Sequence, residues 1–383
     1  MSNQTEQEIG VLVKRAEIGR RILMETAIEP HRRKERPTFT GNRAAAMLGL
    51  TRSRVQSAFR SYQEELGGAS KGREIDEAFL RRLTPDAPRT GPGRVVAVAN
   101  QKGGVGKTTT AVHLAQYFAL TGYKVVAIDL DPQASFSHFM GLNPDLEIED
   151  DDTVIPLLIG SRHDLAAQVV KAPHFDRLSY VPSSLGLAWA NEEMARRQER
   201  NLKCDDGTPY LFWDRLRTGV DPLRNDFDLI ILDTPPHVAP VTYNALCCAD
   251  SIIVPTGGSG IDLASTLRFI DWINETNEIF KKVTRTSQLH FEKLRFLVTG
   301  MDHYQASIEG LAQVQAVMGG YVLRSILPRS SEVYRAAQVY KTIYELRQPI
   351  ASRTHWSAAC EAFDAIGREV RDSVFGVKKG GVA

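Results

Sequence analysis

Long hydrophobic runs are missing from this sequence of 383 residues, although 43% of its residues are hydrophobic. No stretch approaches the roughly 20 consecutive apolar residues that a membrane-spanning helix needs. The opening segment, MSNQTEQEIG, is polar, so we expect no secretory signal. Composition and length therefore predict a soluble globular protein of two to three domains.

Cysteine is also scarce, with four in the whole chain, and Cys247 and Cys248 are adjacent. This number argues against a disulfide scaffold, and we expect the protein in the reducing cytosol. The sequence contains neither a Cys-x-x-Cys pair nor a His-Glu-x-x-His motif, so neither a zinc site nor an iron–sulfur cluster is indicated. The acidic run at residues 147–152 lacks the spacing of a calcium-binding loop, and we interpret it as a solvated loop.

Charge is unevenly distributed along the chain. The formal net charge is +1, yet residues 1–94 hold 18 basic and 12 acidic residues, so the rest of the chain is mildly acidic. Residues 31–60 hold eight basic residues and a single acid, Glu35. This asymmetry predicts a nucleic-acid-binding module ahead of a separate core, although a solvated charged face explains the charge alone equally well.

A linker is predicted at residues 84–93, which read TPDAPRTGPG. Beyond it, continuous apolar runs alternate with helical patterns such as residues 109–120 and 263–279. The apolar runs lie at residues 95–99, 125–128, 229–232, 252–254 and 296–298, with a weaker one at 321–327. This alternation predicts an α/β fold with a doubly wound, mostly parallel sheet.

Residues 6–28, ahead of the linker, have the apolar spacing of one amphipathic helix, which could pack on a partner subunit or on its own chain. We therefore divide the chain into an N-terminal helix at residues 1–35, a small all-α domain at 36–83, the linker at 84–93 and the α/β domain at 94–383.

A glycine-rich segment, NQKGGVGKTTT at residues 100–110, follows the first core strand. Such a turn between a strand and a helix points backbone N–H groups at phosphate oxygens, and the helix N-terminus favours negative charge. Lys107 would neutralise the phosphates and the Thr108 hydroxyl would bind Mg²⁺. The expected nucleotide-binding residues are Gly103, Gly104, Val105, Gly106, Lys107, Thr108 and Thr109.

Three aspartates follow two further strands. KVVAIDLDPQ at residues 124–133 ends in Asp129 and Asp131, and FDLIILDTPP at residues 227–236 ends in Asp233. The carboxyl ends of parallel strands meet at one edge of a sheet, so these carboxylates should lie beside the glycine-rich loop. A single aspartate at a strand end is more often a turn cap, but three in this order after such a loop favour a metal and water site.

The loop departs from the usual GxxxxGK[ST] pattern, because Gln101 stands at the first glycine and Lys102 opens the motif. KGGVGKT resembles the deviant Walker A box of the ParA/MinD superfamily of P-loop ATPases. The resemblance implies ATP and ADP binding with Mg²⁺, and a homodimer in which Lys102 reaches the phosphates of the other subunit. It implies that Lys102, Lys107 and Asp131 are catalytic, and that Asp233 contacts the metal, partly through water, with Asp129 supporting it.

Within that superfamily, residues 94–345 are most similar to chromosome and plasmid partition ATPases. Gln133 after the Asp-Pro pair is typical of partition proteins, and residues 327–335 correspond to the loop used against adenine, which includes Pro328. One departure is that residues 301–305 read MDHYQ and lack the arginine that short partition ATPases use on non-specific DNA. That contact is not carried over.

A helix-turn-helix is predicted in the basic segment, with helices at residues 42–48 and 52–60 joined through Gly49, Leu50 and the N-cap Thr51. A helical hairpin used only for packing is the alternative. Large plasmid partition ATPases, and the RepA proteins of RepABC replicons, carry such a module ahead of the same core. The expected DNA-binding residues are Arg52, Ser53, Arg54, Gln56 and Ser57.

Three functions follow from these patterns. The first is a nucleoid-associated DNA-partition ATPase that binds non-specific DNA, is stimulated by a ParB-like partner and represses its own operator. The second is a transcriptional regulator that senses nucleotide with little hydrolysis. The third is a MinD-like membrane switch, which the ending FGVKKGGVA disfavours because Phe375 and Val377 are its only apolar anchors.

Overall fold

The computed structural model describes residues 2–23, 34–65, 74–84, 91–286, 288–302 and 304–376. Helix α1, Ser2–Leu23, confirms the start of the predicted N-terminal helix, whereas residues 24–28 of that prediction lie outside the described residues. The large apolar side chains described on α1 are all exposed: Ile9, Val11, Leu12, Val13, Ile18 and Ile22.

The next three helices form a small module, which we call the helix-turn-helix module: α2 at Gly41–Leu48, α3 at Arg52–Glu65 and α4 at Glu77–Leu83. Helix α2 ends at Gly49, whose φ of 68° is a left-handed conformation that glycine adopts without strain. The Thr51 hydroxyl accepts a hydrogen bond from the Arg54 N–H (3.3 Å), as an N-cap does. The two predicted helices are thus confirmed, and α4 was missed.

The apolar side chains of the module belong to the same buried cluster as side chains of the core domain. Met47 and Val55 are buried between the first two helices, and Phe79 of α4 packs edge-on against Phe59 (4.9 Å between ring centres). Phe39 and Ile75 exchange two backbone hydrogen bonds of 2.7 Å, an isolated antiparallel bridge that closes the module.

An eight-stranded sheet occupies the centre of the core domain, whose first strand begins at Arg94. Its order is β3-β4-β2-β5-β1-β6-β7-β8, and all neighbouring pairs are parallel except β3 and β4. The strands are β1 Arg94–Val98, β2 Val125–Asp129, β3 Val170–Lys171, β4 Leu178–Val181, β5 Leu229–Asp233, β6 Ser251–Gly257, β7 Lys293–Met301 and β8 Leu327–Pro328.

The continuous apolar runs form strands because helices cover both faces of the sheet. On β1, Val96 and Val98 belong to one buried cluster, whereas Val95 and Ala97 belong to a second cluster on the opposite face. Successive side chains of a strand point to opposite faces, so a strand covered on both faces is apolar at every position.

Two long helices, α5 (Lys107–Leu120) and α15 (Arg353–Phe375), supply the first cluster. The helices around the second cluster include α8 Ile155–Leu158, α9 Gly186–Glu199, α10 Arg215–Leu223, α11 Pro240–Cys248, α12 Gly260–Thr284 and α13 Gln305–Met318. The remaining α-helices are α6 Ser135–Phe139, α7 Pro144–Glu147 and α14 Ser331–Gln338. None of the described helices is long and apolar enough to cross a membrane.

Three predictions for the core need correction. The weak run at residues 321–327 yields only the two-residue β8 and one bridge between Val322 and Phe296. The short strands β3 and β4 were missed. The acidic run is exposed to solvent, as predicted, but it is not a plain loop. Asp150–Asp152 forms a 3₁₀ turn, and the Asp150 carboxylate accepts a hydrogen bond from the Ser184 hydroxyl (2.7 Å).

The helix-turn-helix module is docked on the core domain through ionic contacts. Lys34 pairs with Glu345 (2.9 Å), and both side chains are almost fully buried. Arg43 of α2 forms a bidentate pair with Asp364 of α15, with one N···O distance of 3.0 Å. Residues 85–90 of the predicted linker lie outside the described residues. Residues on the two sides of the predicted linker are thus in direct contact through these ion pairs.

Candidate functional site

The glycine-rich loop lies between β1 and α5, as predicted. Gly104 and Gly106 have φ angles of 75° and 84°, a region that disfavours side chains, and Lys107 begins the helix immediately afterwards. The loop therefore curls over the N-terminus of α5, which concentrates backbone N–H groups and the positive end of the helix dipole at one point.

Two residues that the sequence analysis missed hold this loop. The Asn100 amide donates to the Pro255 carbonyl (2.8 Å), and its oxygen accepts from the Lys102 N–H (3.1 Å). The Thr299 hydroxyl of β7 donates to the Val105 carbonyl (2.9 Å). These contacts tie both sides of the loop to strands β6 and β7, which fixes its shape. Asn100 is the first residue of the glycine-rich segment itself, whereas Thr299 is distant in sequence and no local motif marks it.

Lys107 lies inside the loop, with an exposed fraction of only 7%. Its ammonium donates to the Lys102 carbonyl (3.0 Å). Burial lowers the pKa of Lys107, and the nearby Asp233 and Asp131 carboxylates oppose that shift. A cation buried with so few partners is well placed to bind phosphate oxygens.

Asp129 and Asp233 are direct neighbours, since the last residues of β2 and β5 are in register. Asp129 accepts hydrogen bonds from the Ser137 N–H (3.0 Å), the Ser137 hydroxyl (2.8 Å) and the Asp131 N–H (3.2 Å). Burial raises the pKa of Asp129 to about 7, and these hydrogen bonds oppose the shift. Its oxygens are thus engaged in shaping the loop that carries Asp131.

The Asp233 carboxylate differs from that of Asp129 in its hydrogen bonding. It is 1% exposed, and within the described residues neither carboxylate oxygen has a hydrogen-bond partner of good geometry. Burial and the adjacent Asp129 raise its pKa well above the ordinary value, whereas Thr108 and Lys107 act to lower it. Unpartnered oxygens in a buried carboxylate next to a threonine hydroxyl fit Mg²⁺, which prefers hard oxygen ligands. Among the described residues, His, Cys, Asp and Glu alone form no metal-binding cluster of three or more.

Asp131 lies at the edge of the same site and is 8% exposed. Its carboxylate accepts from the Gln133 N–H (3.0 Å) and its carbonyl from the Ala134 N–H (2.8 Å). Ala134 has a φ of 51°, a strained value for a residue with a side chain. This tight turn directs the Asp131 carboxylate, whose charge reaches both Lys107 and Asp233.

Lys102 is not free. Its ammonium forms an ion pair with Asp262, the third residue of α12, and Asp262 also makes a capping box with Ser259. The paired side chains are 30% and 17% exposed. They border a cavity of about 290 Å³ formed by the phosphate loop and the ends of β6 and β7. No local sequence pattern indicated that Asp262 would pair with Lys102.

Pro328 does not line that cavity. It belongs to β8 and faces a separate cavity of about 650 Å³, together with Met301, Tyr334 and His355. The structure therefore groups the loop residues with Asp129, Asp131 and Asp233, and places Pro328 in a neighbouring pocket at the same edge of the sheet.

The expected DNA-binding residues share helix α3. Arg52, Ser53, Arg54, Gln56 and Ser57 are all exposed, and Val55 between them is buried. Arg52 and Gln56 line a groove of about 490 Å³ that also contains Thr40 and Gly41 at the start of α2. The helix thus packs through apolar residues such as Val55 and Phe59 and presents these polar residues to solvent.

Comparison with known proteins identifies the family. A family profile described as an AAA domain matches residues 93–285. Protein SopA of Escherichia coli strain K12 is 31% identical over 286 residues, which cover 73% of this chain and 70% of that protein. The chain belongs to the ParA/MinD superfamily. It is therefore a P-loop ATPase of the deviant Walker A type.

Two further comparisons extend this likeness over more of the chain. A putative replication protein A of Rhizobium rhizogenes is 27% identical over 360 residues, which cover 89% of this chain and 87% of the relative. A solved structure described as a partition protein has a TM-score of 0.63 at 19% identity, and the match covers 97% of this chain and 99% of that one. The similarity in fold between this ParA/MinD superfamily member and that partition protein thus includes the N-terminal helices.

Proposed function

We propose that the protein is an ATP-hydrolysing DNA-partition protein, an ATP-switched homodimer that binds DNA and is stimulated by a ParB-like partner. The observation that carries the proposal is the grouping of a phosphate loop, a buried cation and three carboxylates at one edge of the sheet. Membership of a superfamily with partition relatives supports the same role.

The residues of the phosphate loop and of the surrounding site have separate roles in binding and hydrolysing the nucleotide. The backbone N–H groups of residues 103–109 bind the phosphates, and Lys107 neutralises their charge. Thr108 and Asp233 hold Mg²⁺, which when bound would offset charge on the β- and γ-phosphates. Asp131 orients and activates the attacking water, since it is a carboxylate near the loop whose geometry is set by a tight turn. Pro328 packs against the adenine.

Asp129 acts in this scheme by positioning rather than by contact. Its oxygens already accept three hydrogen bonds from Ser137 and Asp131. It therefore holds the turn that presents Asp131, and its support of the metal site is indirect.

Lys102 couples nucleotide to dimerisation. In the ATP-bound dimer it leaves Asp262 and reaches the phosphates of the other subunit. A compact ammonium supplied by the partner would stabilise the charge on the transferring phosphoryl group only while the two subunits are associated.

Helix α3 gives the protein a second role, namely repression of its own operator. Exposed arginine and glutamine side chains near the start of a recognition helix suit guanine and adenine edges in the major groove. The docked module would then couple this reading of DNA to the ATPase domain.

The test is ATP turnover by the purified full-length protein, alone, with non-specific DNA, and with DNA plus the ParB-like protein encoded nearby. We expect slow turnover that DNA and partner raise together. Tight ATP binding without any turnover under all three conditions would favour the nucleotide-sensing regulator instead.

A further inference from the structure

A cleft of about 970 Å³ opens beside the C-terminal half of α15. Four arginines line it: Arg295 of β7, Arg324 after the 3₁₀ turn at Gly319–Tyr321, and Arg368 and Arg371 of α15. Among the described residues that line it, none belongs to the phosphate loop or to the three aspartates. The arginine cleft, as we call it, is therefore separate from the nucleotide site.

The acids of the cleft are already engaged. Glu369 accepts hydrogen bonds from the backbone N–H groups of Arg324 (2.8 Å) and Ser325 (2.9 Å), and Asp372 pairs with Arg371 (2.9 Å). In the part of the chain that the structure describes, Arg295, Arg324 and Arg368 form no ion pair. The cleft thus holds four guanidinium groups against two carboxylates, a net charge of +2 on one concave surface, which attracts anions.

A further group in the cleft lacks a partner. The Ser373 hydroxyl is buried and has no hydrogen-bond partner among the described residues. A hydroxyl donor beside planar guanidinium groups suits the oxygens of a phosphate, which accept several hydrogen bonds at once.

The cleft also borders the helix-turn-helix module. Arg368 donates a hydrogen bond to the Ala46 carbonyl of α2 (3.2 Å). Ala46 lies about one helical turn before Gly49, where α2 ends, and α3 begins shortly afterwards at Arg52. Proteins that place such a helix in the major groove also contact the phosphates on either side of it, and these contacts set the register on the duplex.

We propose that the arginine cleft binds the phosphodiester backbone of the DNA that α3 reads. The ATPase domain itself then contacts the operator beside the recognition helix. This inference rests on the proposed DNA reading by α3. An acidic segment of a protein partner is the competing occupant, and the contact between Arg368 and the turn of the module favours DNA.

The test uses the full-length Arg295→Gln/Arg324→Gln protein. Arg295 donates only to the carbonyl of its neighbour Leu294, and the Arg324 side chain is exposed, so the fold should tolerate both changes. The control is Arg162→Gln/Arg200→Gln, which removes the same charge from two exposed arginines on the other side of the sheet. Equal thermal unfolding midpoints establish that all three proteins are folded.

Binding is measured by fluorescence anisotropy with a labelled duplex from the upstream promoter region, across a range of salt concentrations. Each lost phosphate contact lowers the magnitude of the slope of log K against log [salt] by about 0.9, so the double variant should lose about 2 and bind roughly tenfold more weakly at low salt. The control should keep the parent slope.

An unchanged slope would overturn the proposal. Loss of stimulation by the ParB-like protein with normal DNA binding would do so as well, and would assign the cleft to an acidic protein segment. If the Arg54→Ala/Gln56→Ala protein binds the duplex as the parent does, the proposed reading by α3 fails. The salt slope of the cleft variant separates that failure from failure of the cleft.

Discussion

The Lys102 ammonium is paired with the Asp262 carboxylate of the same chain, 160 positions away. The lysine proposed to act across the dimer is therefore occupied within its own subunit, at the N-terminal end of α12. In the proposed ATP-bound dimer, contacts to phosphate would replace this pair, so the pair competes with that arrangement.

Asp262→Asn should promote ATP-dependent dimerisation. The amide keeps the cap with Ser259 but loses the charge that holds Lys102. A partly exposed ion pair contributes about 0.2–1 kcal/mol and the homodimer breaks two of them, so the dimer dissociation constant should fall by roughly twofold to thirtyfold. Analytical ultracentrifugation with ATP measures it, and Asp271→Asn on the same helix is the control. An unchanged constant would mean that the pair does not restrain Lys102.

Lys107→Ala and Asp131→Ala should separate binding from hydrolysis. The first removes the main cation of the phosphate loop and should abolish nucleotide binding. The second should leave binding intact and remove turnover, which traps the ATP state. Calorimetry and phosphate release measure the two effects, with Asp145→Ala as an exposed control. Hydrolysis at the parent rate by Asp131→Ala would show that another group handles the water.

A mixture of Lys102→Ala and Asp131→Ala proteins should recover activity that neither has alone. A mixed dimer contains one site with its own Asp131 and the partner's lysine, so random pairing of equal amounts should restore up to about a quarter of the parent turnover. Crosslinking establishes that mixed dimers form. Mixed dimers without recovered turnover would contradict action across subunits.

Arg54→Ala/Gln56→Ala should weaken operator binding far more than non-specific binding. A side chain that contacts a base edge bidentately contributes about 1–3 kcal/mol of discrimination, whereas non-specific affinity comes mainly from phosphate contacts. Footprinting of the upstream region beside the parent and Arg200→Ala provides the measurement. Protection of the same sites at the same concentration would leave α2 and α3 with a packing role only.

Glu77→Gln should stabilise the protein at high pH. Glu77 is 2% exposed, and burial with the charge of Asp176 raises its pKa from 4.5 to about 7. The folded state therefore binds more protons than the unfolded state between these values, and stability falls as the pH rises through that window.

Because glutamine stays neutral and can still accept from the Asp176 N–H, the variant should match the parent near pH 4.5 and exceed it by about 3 kcal/mol above pH 7. Urea unfolding at a series of pH values measures the difference. Glu74→Gln, which changes an exposed acid, should show no such pH-dependent gain.

Patterns that are local in sequence predicted much of this molecule. The runs that became β1, β2 and β5 are apolar at every position because helices cover both faces, and the phosphate loop lies within one short segment. Strand β4 was missed because Ser179 interrupts a four-residue run. The weak run predicted at residues 321–327 yields only the two-residue β8, which ends at Pro328. The partner of Lys102 and the docking pair of Arg43 with Asp364, 321 positions apart, arise from tertiary packing and have no local signature.

The buried pairs of Lys34 with Glu345 and of Arg43 with Asp364 have a consequence for the DNA sequences that the protein can recognise. A DNA-reading helix that these pairs attach to the core domain cannot rotate independently of that domain toward its DNA target. In a two-fold dimer, the arrangement of the subunits would set the distance between the two copies of α3 and their relative rotation about the DNA axis. Inverted repeats whose centres lie a matching number of helical turns apart would then be bound with both copies, and repeats out of phase by half a turn would engage only one.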